Sequence, residues 1–147
     1  MKGLSMAALL LLMTACGGQD STPRPAPPPG AVAPGSSLLA AAGEKNPLPD
    51  GGWFTWQFAE KPKLGTMIVK VQVFDKTGAR IQSAEVVGEY GMPSMRYHDS
   101  GPVKFQLSKK GDYLLPVEVV MPGEWELLIR VKQDEQEIYA GKVIFNI

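Results

Sequence analysis

Met92, Met95 and His98 follow one another at intervals of three within Gly91-Met92-Pro93-Ser94-Met95-Arg96-Tyr97-His98, and His98 is the only histidine of the chain. Two thioether sulfurs and one imidazole make a soft, neutral donor set that suits Cu(I) better than Zn²⁺, Ca²⁺ or Mg²⁺. They would form a three-coordinate site without a thiolate. In a straight strand, positions 92 and 98 share a face while 95 points the other way. Pro93 argues against a regular central strand, so a curved loop is what would turn all three side chains inward. Met67 or Met121 would complete the shell if the fold brings either close. The competing reading is structural. Methionine is a flexible apolar filler, and Met92 and Met95 would then cap one end of the core with Pro93 fixing the turn between them.

Little else in the chain offers chemistry. Cys16 is the sole cysteine and no Gly-x-Ser-x-Gly elbow is present. Glu85 and Glu89 are acid–base candidates by type, but an alternating surface strand reads them as solvated. Gly78 and Gly88 belong to no glycine-rich run followed by a lysine and a helix, so a phosphate loop is not indicated. This inventory fits reversible binding better than turnover, and the chain reads as a non-enzyme. Fifteen basic residues balance fifteen acidic ones without a long block of either sign. A nucleic-acid partner, which would call for a basic stripe, is not expected.

The organisation reads in three parts. Residues 1–15 carry Lys2, an apolar stretch from Leu4 to Met13 and the closing Met13-Thr14-Ala15-Cys16. That stretch is well short of the roughly 20 residues that span a bilayer. It resembles a bacterial lipoprotein signal, which would be cut before Cys16 and leave that residue acylated. An ordinary secretory signal ending at Ala15, with Cys16 left as a thiol, is the other reading. Under the first, the protein is extracytoplasmic and held to a membrane through lipidated Cys16, with no thiol remaining. Gly17, where an aspartate is absent, resembles the outer-membrane-sorted kind if the cell is Gram-negative. Residues 16–50 include Pro23-Arg24-Pro25-Ala26-Pro27-Pro28-Pro29-Gly30 and read as a tether too poor in apolar area to fold.

Residues 51–147 carry the periodicity of strands. Met67, Val69, Val71 and Val73 alternate with Ile68, Lys70, Gln72 and Phe74, and Trp125, Leu127, Ile129 and Val131 alternate with Glu126, Leu128, Arg130 and Lys132. Similar runs at Gly51–Ala59, Ile81–Tyr90, Val103–Leu107, Tyr113–Val119 and Ile138–Phe145 bring the count to about seven. Gly, Pro and Asp turns separate them, which points to an all-β antiparallel sandwich, with a small barrel as the alternative. Pro116 suits an edge. Gly111 and Gly123 are expected at turns, Tyr113 at a strand start and Trp125 in the core. Trp53 and Trp56 cannot share one strand face.

Three landmarks in order, Met92-Pro93-Ser94-Met95 with His98, Gly111-Asp112-Tyr113, and Met121-Pro122-Gly123-Glu124-Trp125, follow the turn Asp75-Lys76-Thr77-Gly78. This set resembles the YtkA-like family, related to the FixH-like proteins, across most of residues 63–145. The resemblance implies a small extracytoplasmic immunoglobulin-like sandwich. It also implies a partner in metal efflux or oxidase assembly, with Cu(I) as the candidate cofactor. The alternative is a structural or protein-interaction module of the cell envelope.

Overall fold

A computed structural model describes residues 37–95, 97 and 99–147. Residues 1–36, which include the signal segment, Cys16 and most of the tether, lie outside the described residues, as do Arg96 and His98. The strands are β1 (Ser37–Leu38), β2 (Asn46–Pro47), β3 (Trp53–Phe58), β4 (Gly65–Phe74), β5 (Glu85–Gly91), β6 (Val103–Lys104), β7 (Gln106–Leu107), β8 (Tyr113–Val119), β9 (Glu124–Gln133) and β10 (Gln136–Asn146). They form two five-stranded sheets, β1-β10-β9-β5-β6 and β2-β3-β4-β8-β7. Read over β3, β4, β5, β7, β8, β9 and β10 as strands A to G, this is the ABED and CFG arrangement of immunoglobulin-like sandwiches.

The alternation seen in the sequence is what closes the core. Met67, Val69, Val71 and Val73 of β4 face inward beside Tyr113, Leu115, Val117 and Val119 of β8. Trp125, Leu127, Ile129 and Val131 of β9 meet them from the other sheet. A period of two puts each such set on one face, and each fully buried Leu, Ile or Val contributes about 1.5–3 kcal/mol of transfer free energy. The Trp125 indole is buried, and its Nε1–H donates to the Met121 carbonyl at 3.1 Å. Trp53 and Trp56 fall on opposite faces. Trp56 is in the core and donates to the Ala40 carbonyl at 2.8 Å, whereas Trp53 stacks outside on Phe74 with Lys45 Nζ over its ring.

The structure differs from the sequence reading in three places. The run at Val103–Leu107 is two short strands in different sheets: β6 pairs with β5, β7 pairs with β8, and buried Phe105 lies at the crossing. Residues 37–48, assigned above to the tether, are part of the sandwich. β1 runs parallel to β10, β2 pairs with β3, and the buried Asn46 side chain accepts from the Ala40 amide at 2.8 Å. That parallel pair makes the sheets not wholly antiparallel, and the described residues form ten strands where about seven were expected.

Two further positions are fixed by the fold. β7 covers β8 only at Tyr113 and Leu114, so Pro116 sits on a sheet edge, where a missing amide is tolerated. At the opposite end, Asp112 accepts from Gln72 Nε2 at 2.7 Å and pairs with Arg80 at 2.9 Å. Burial alone would raise the Asp112 carboxyl. The Gln72 hydrogen bond and the Arg80 and Lys70 charges outweigh it and hold the group below its ordinary value.

Candidate functional site

The methionine segment begins where β5 ends, and the register of β5 decides which way Met92 points. Val86 is buried, and a Cβ on Gly88 would lie 2.5 Å from Leu115 Cδ2 and 2.9 Å from Phe105 Cε2, so this face looks across the core to the other sheet. Tyr90 packs at the rim of the core, and Met92, two residues further, continues the same face and is 7% exposed. Its Cε lies 2.8 Å from the position a Cβ would take on Gly123, so the thioether packs against the β8–β9 turn.

A tight turn follows at once. The Met95 amide donates to the Met92 carbonyl at 2.9 Å, which puts Pro93 and Ser94 at the two central positions. Proline fixes the φ that the first of these needs. Met95, on the far side of the turn, is 36% exposed, and Tyr97 is fully exposed. The neck of the loop is tied by two hydrogen bonds between Tyr90 and Ser100: Ser100 N–H donates to Tyr90 O at 2.8 Å, and Tyr90 N–H donates to Ser100 Oγ at 3.0 Å. Asp99 lies directly over Gly91. A Cβ there would collide with the Asp99 carboxylate and come within 3.1 Å of its Cα, so only glycine admits this close return.

Beside the turn is a pocket of about 270 Å³, with Tyr90, Met92, Pro93 and Asp99 on the loop side. Glu126 and Lys142, joined by a 2.8 Å ion pair, line it from β9 and β10. Met92 therefore has two neighbourhoods, the core behind it and the pocket in front.

Of the three proposed ligands, the described residues bring Met92 and Met95 onto one turn, and His98 lies outside them. Lipidation at Cys16 also concerns a residue outside them. The two additional methionines have other engagements. Met67 is buried on β4 and its sulfur accepts from the Lys63 amide at 3.3 Å. Met121 packs on the core, and its carbonyl holds the Trp125 indole. Among the described residues, no group of three or more His, Cys, Asp or Glu is placed to hold a metal ion.

Gly111 has φ +78° in the turn before Tyr113, whose buried hydroxyl donates to Ile81 O at 3.2 Å. Gly123, with φ +137°, closes against the C-terminus through paired hydrogen bonds with Ile147. Sequence reasoning passed over Asp99, Ser100, Glu126 and Lys142. The signal at Ser100 was weak, a lone serine in a Gly- and Pro-flanked stretch. Glu126 and Lys142 carry no local signal, because their pairing is a cross-strand relationship.

No protein-family model and no curated protein sequence matches the chain. Among solved structures the sandwich is similar to FetP of uropathogenic E. coli strain F11, crystallised "as isolated" after recombinant expression in the periplasm of E. coli BL21(DE3). The TM-score is 0.50 at 9% identity, over 72% of this chain and 93% of that one. At that identity the likeness carries the fold alone, and no family model matches to support the resemblance to the YtkA-like family.

Proposed function

We propose that this chain is a lipid-anchored, extracytoplasmic immunoglobulin-like domain that binds Cu(I) through Met92, Met95 and His98. It acts as a metal-handling accessory and not as an enzyme. One observation carries the reading: the Met92–Met95 turn stands beside a pocket that Met92 helps to line and leaves Met95 exposed, on a loop tied at its neck. A soft cation gathered by this loop would take neutral thioether donors from Met92 and Met95, with His98, three residues beyond Met95, as the imidazole. The Met-Pro landmarks, which resemble those of the YtkA-like family, favour the same reading, with Cu(I) passed to an efflux or oxidase-assembly protein. The signal-like first fifteen residues and the proline-rich tether support an extracytoplasmic, membrane-attached placement, on the outer membrane if the cell is Gram-negative. FetP forms a similar fold when expressed in the periplasm.

Anaerobic Cu(I) titration against a competing chelator tests the assignment. Met95→Ala and His98→Ala, which leave the buried Met92 in place, are expected to weaken binding. Affinity unchanged in the triple Met92→Ala, Met95→Ala, His98→Ala chain would refute it. One observation favours a second reading. The seat of Met92 against Gly123 is that of a packing residue, so the loop would then serve the fold or contact another envelope protein.

A further inference from the structure

The two ends of the sandwich differ in charge, and the chain enters from one of them. Tyr139 of β10 packs on Phe54 of β3, and Phe145 on Phe58, so β3 and β10 begin at the same end of the domain. The strand register brings the end of β4 and the start of β8 there as well. The Met92–Met95 turn is at the opposite end, where β5 finishes beside the start of β9. β1 runs parallel to β10, with Ser37 beside Gly141 and Leu38 beside Lys142. Its N-terminus is therefore directed toward the Gln136 end, away from the methionine turn.

At the end where β1 enters, lysines gather about an aromatic pair on the β2-β3-β4-β8 side. Trp53 stacks on Phe74 with ring centres 5.5 Å apart, and Lys45 Nζ lies 4.1 Å over the indole. Lys76 lies in the next turn, its Cβ 3.6 Å from where a Cβ on Gly51 would be. Arg80, over the Phe74 ring, donates to the Lys110 carbonyl at 2.9 Å and so brings the Lys109-Lys110 turn to the same corner. Lys45, Lys76, Lys109 and Lys110 are exposed, and among the described residues none of them belongs to an ion pair. The carboxylates nearby are turned toward their own chain. Asp75 Oδ1 accepts from the Thr77 and Ala79 amides and the Thr77 hydroxyl, Asp50 Oδ1 accepts from the Gly52 amide, and Asp112 is paired with Arg80. Asp134 and Glu135 stand at the tip of the β9–β10 hairpin, on the other sheet, which confines the positive surface to this corner.

Charge and chain direction together name an anionic lipid surface as what this corner meets. Lysines beside a membrane of anionic lipid are attracted to it, and a half-buried indole among them suits the boundary between headgroups and acyl chains. On the lipid-anchored reading of Cys16 such a surface is always within reach. Twenty residues separate Cys16 from Ser37, a span of about 60 Å at the rise of an extended proline-rich linker. The outer face of the β10-β9-β5 sheet offers no such charge, since Lys104, Lys132, Arg130 and Lys142 are all paired with glutamates.

We infer that the corner formed by Lys45, Lys76, Lys109, Lys110 and Trp53 rests on the anionic headgroups of the membrane that anchors the chain, with the Met92–Met95 turn directed away from that membrane. The inference rests on the lipid-anchored reading, and its test separates the two. The processed chain, residues 16–147 with Cys16→Ser, carries no acyl group, so its sedimentation with vesicles reads the corner alone. It is expected to bind vesicles of equal parts phosphatidylglycerol and phosphatidylcholine, to release them at high salt, and not to bind phosphatidylcholine alone. Lys76→Gln, Lys109→Gln and Lys110→Gln should each weaken binding roughly fivefold. Lys61→Gln, in the β3–β4 turn at the opposite end, should leave it unchanged. All four lysines are exposed, so an unchanged thermal transition confirms that the variants fold. Binding that ignores salt, that is equal for the two vesicle types, or that falls as far with Lys61→Gln overturns the inference. Chain recovered from cell membranes with no acyl mass on Cys16 refutes the anchored reading, whatever the vesicles show.

Discussion

Tyr90 and Ser100 hold each other by both ends: the Tyr90 carbonyl accepts from the Ser100 amide at 2.8 Å, and the Tyr90 amide donates to Ser100 Oγ at 3.0 Å. Ten residues apart in sequence, they turn the methionine segment from an open excursion into a tied loop. The prior ordering lowers the entropy that a ligand must remove when it gathers side chains from that loop.

Ser100→Ala therefore keeps one of the two ties and loses the other. Its expected cost is about 1 kcal/mol in denaturant unfolding, the usual worth of one such hydrogen bond. Cu(I) affinity should fall as well, although Ser100 is not proposed as a ligand. An undiminished affinity would mean that the neck does not organise the site.

The two methionines should separate cleanly in stability. Met92→Ala removes a buried side chain and is expected to cost ~2–5 kcal/mol. Met95→Ala, at an exposed position on the turn, should stay within about 0.5 kcal/mol. Thermal unfolding of the metal-free variants reads this difference, and equal melting temperatures would contradict the burial of Met92.

Gly88→Ala should be destabilising by ~1–3 kcal/mol, the usual range for overpacking a core. The added methyl meets Leu115 Cδ2 and Phe105 Cε2. Leu115→Val in the same chain should relieve part of it, which a double-mutant comparison of unfolding free energies would detect.

The Asp112 carboxyl gives a pH dependence with a defined sign. Its pKa is lowered in the folded chain from the ordinary 3.8, so its stabilising effect is fully present above that value. It is lost as pH falls further, through the folded pKa. Asp112→Asn should accordingly be less stable than wild type at neutral pH, with the gap closing below the ordinary carboxylate value. A gap that stays constant across acid pH would show that the Arg80 and Gln72 contacts do not depend on ionisation.

The parts of this fold that the sequence displays are those built by alternation. β4, β8 and β9 each bury every second residue, so Val69, Leu115 and Ile129 were legible as core from spacing alone. Short strands held by single polar contacts are not legible by that route. β1 and β2 are two residues each, placed by the Asn46 and Trp56 side chains gripping Ala40, and their composition is that of a tether. The split at Phe105 is hidden because alternation continues while the strand changes sheets. The pocket is hidden as well, since Glu126 and Lys142 occupy ordinary outward positions and come together through the β9–β10 register.

Copper K-edge absorption of the anaerobic Cu(I)-loaded chain tests the central claim most directly, because it reads the donor atoms themselves. The expected copper environment is sulfur with imidazole nitrogen, losing sulfur in Met95→Ala and nitrogen in His98→Ala. A shell made only of oxygen and nitrogen, or one unaltered by either substitution, would contradict it.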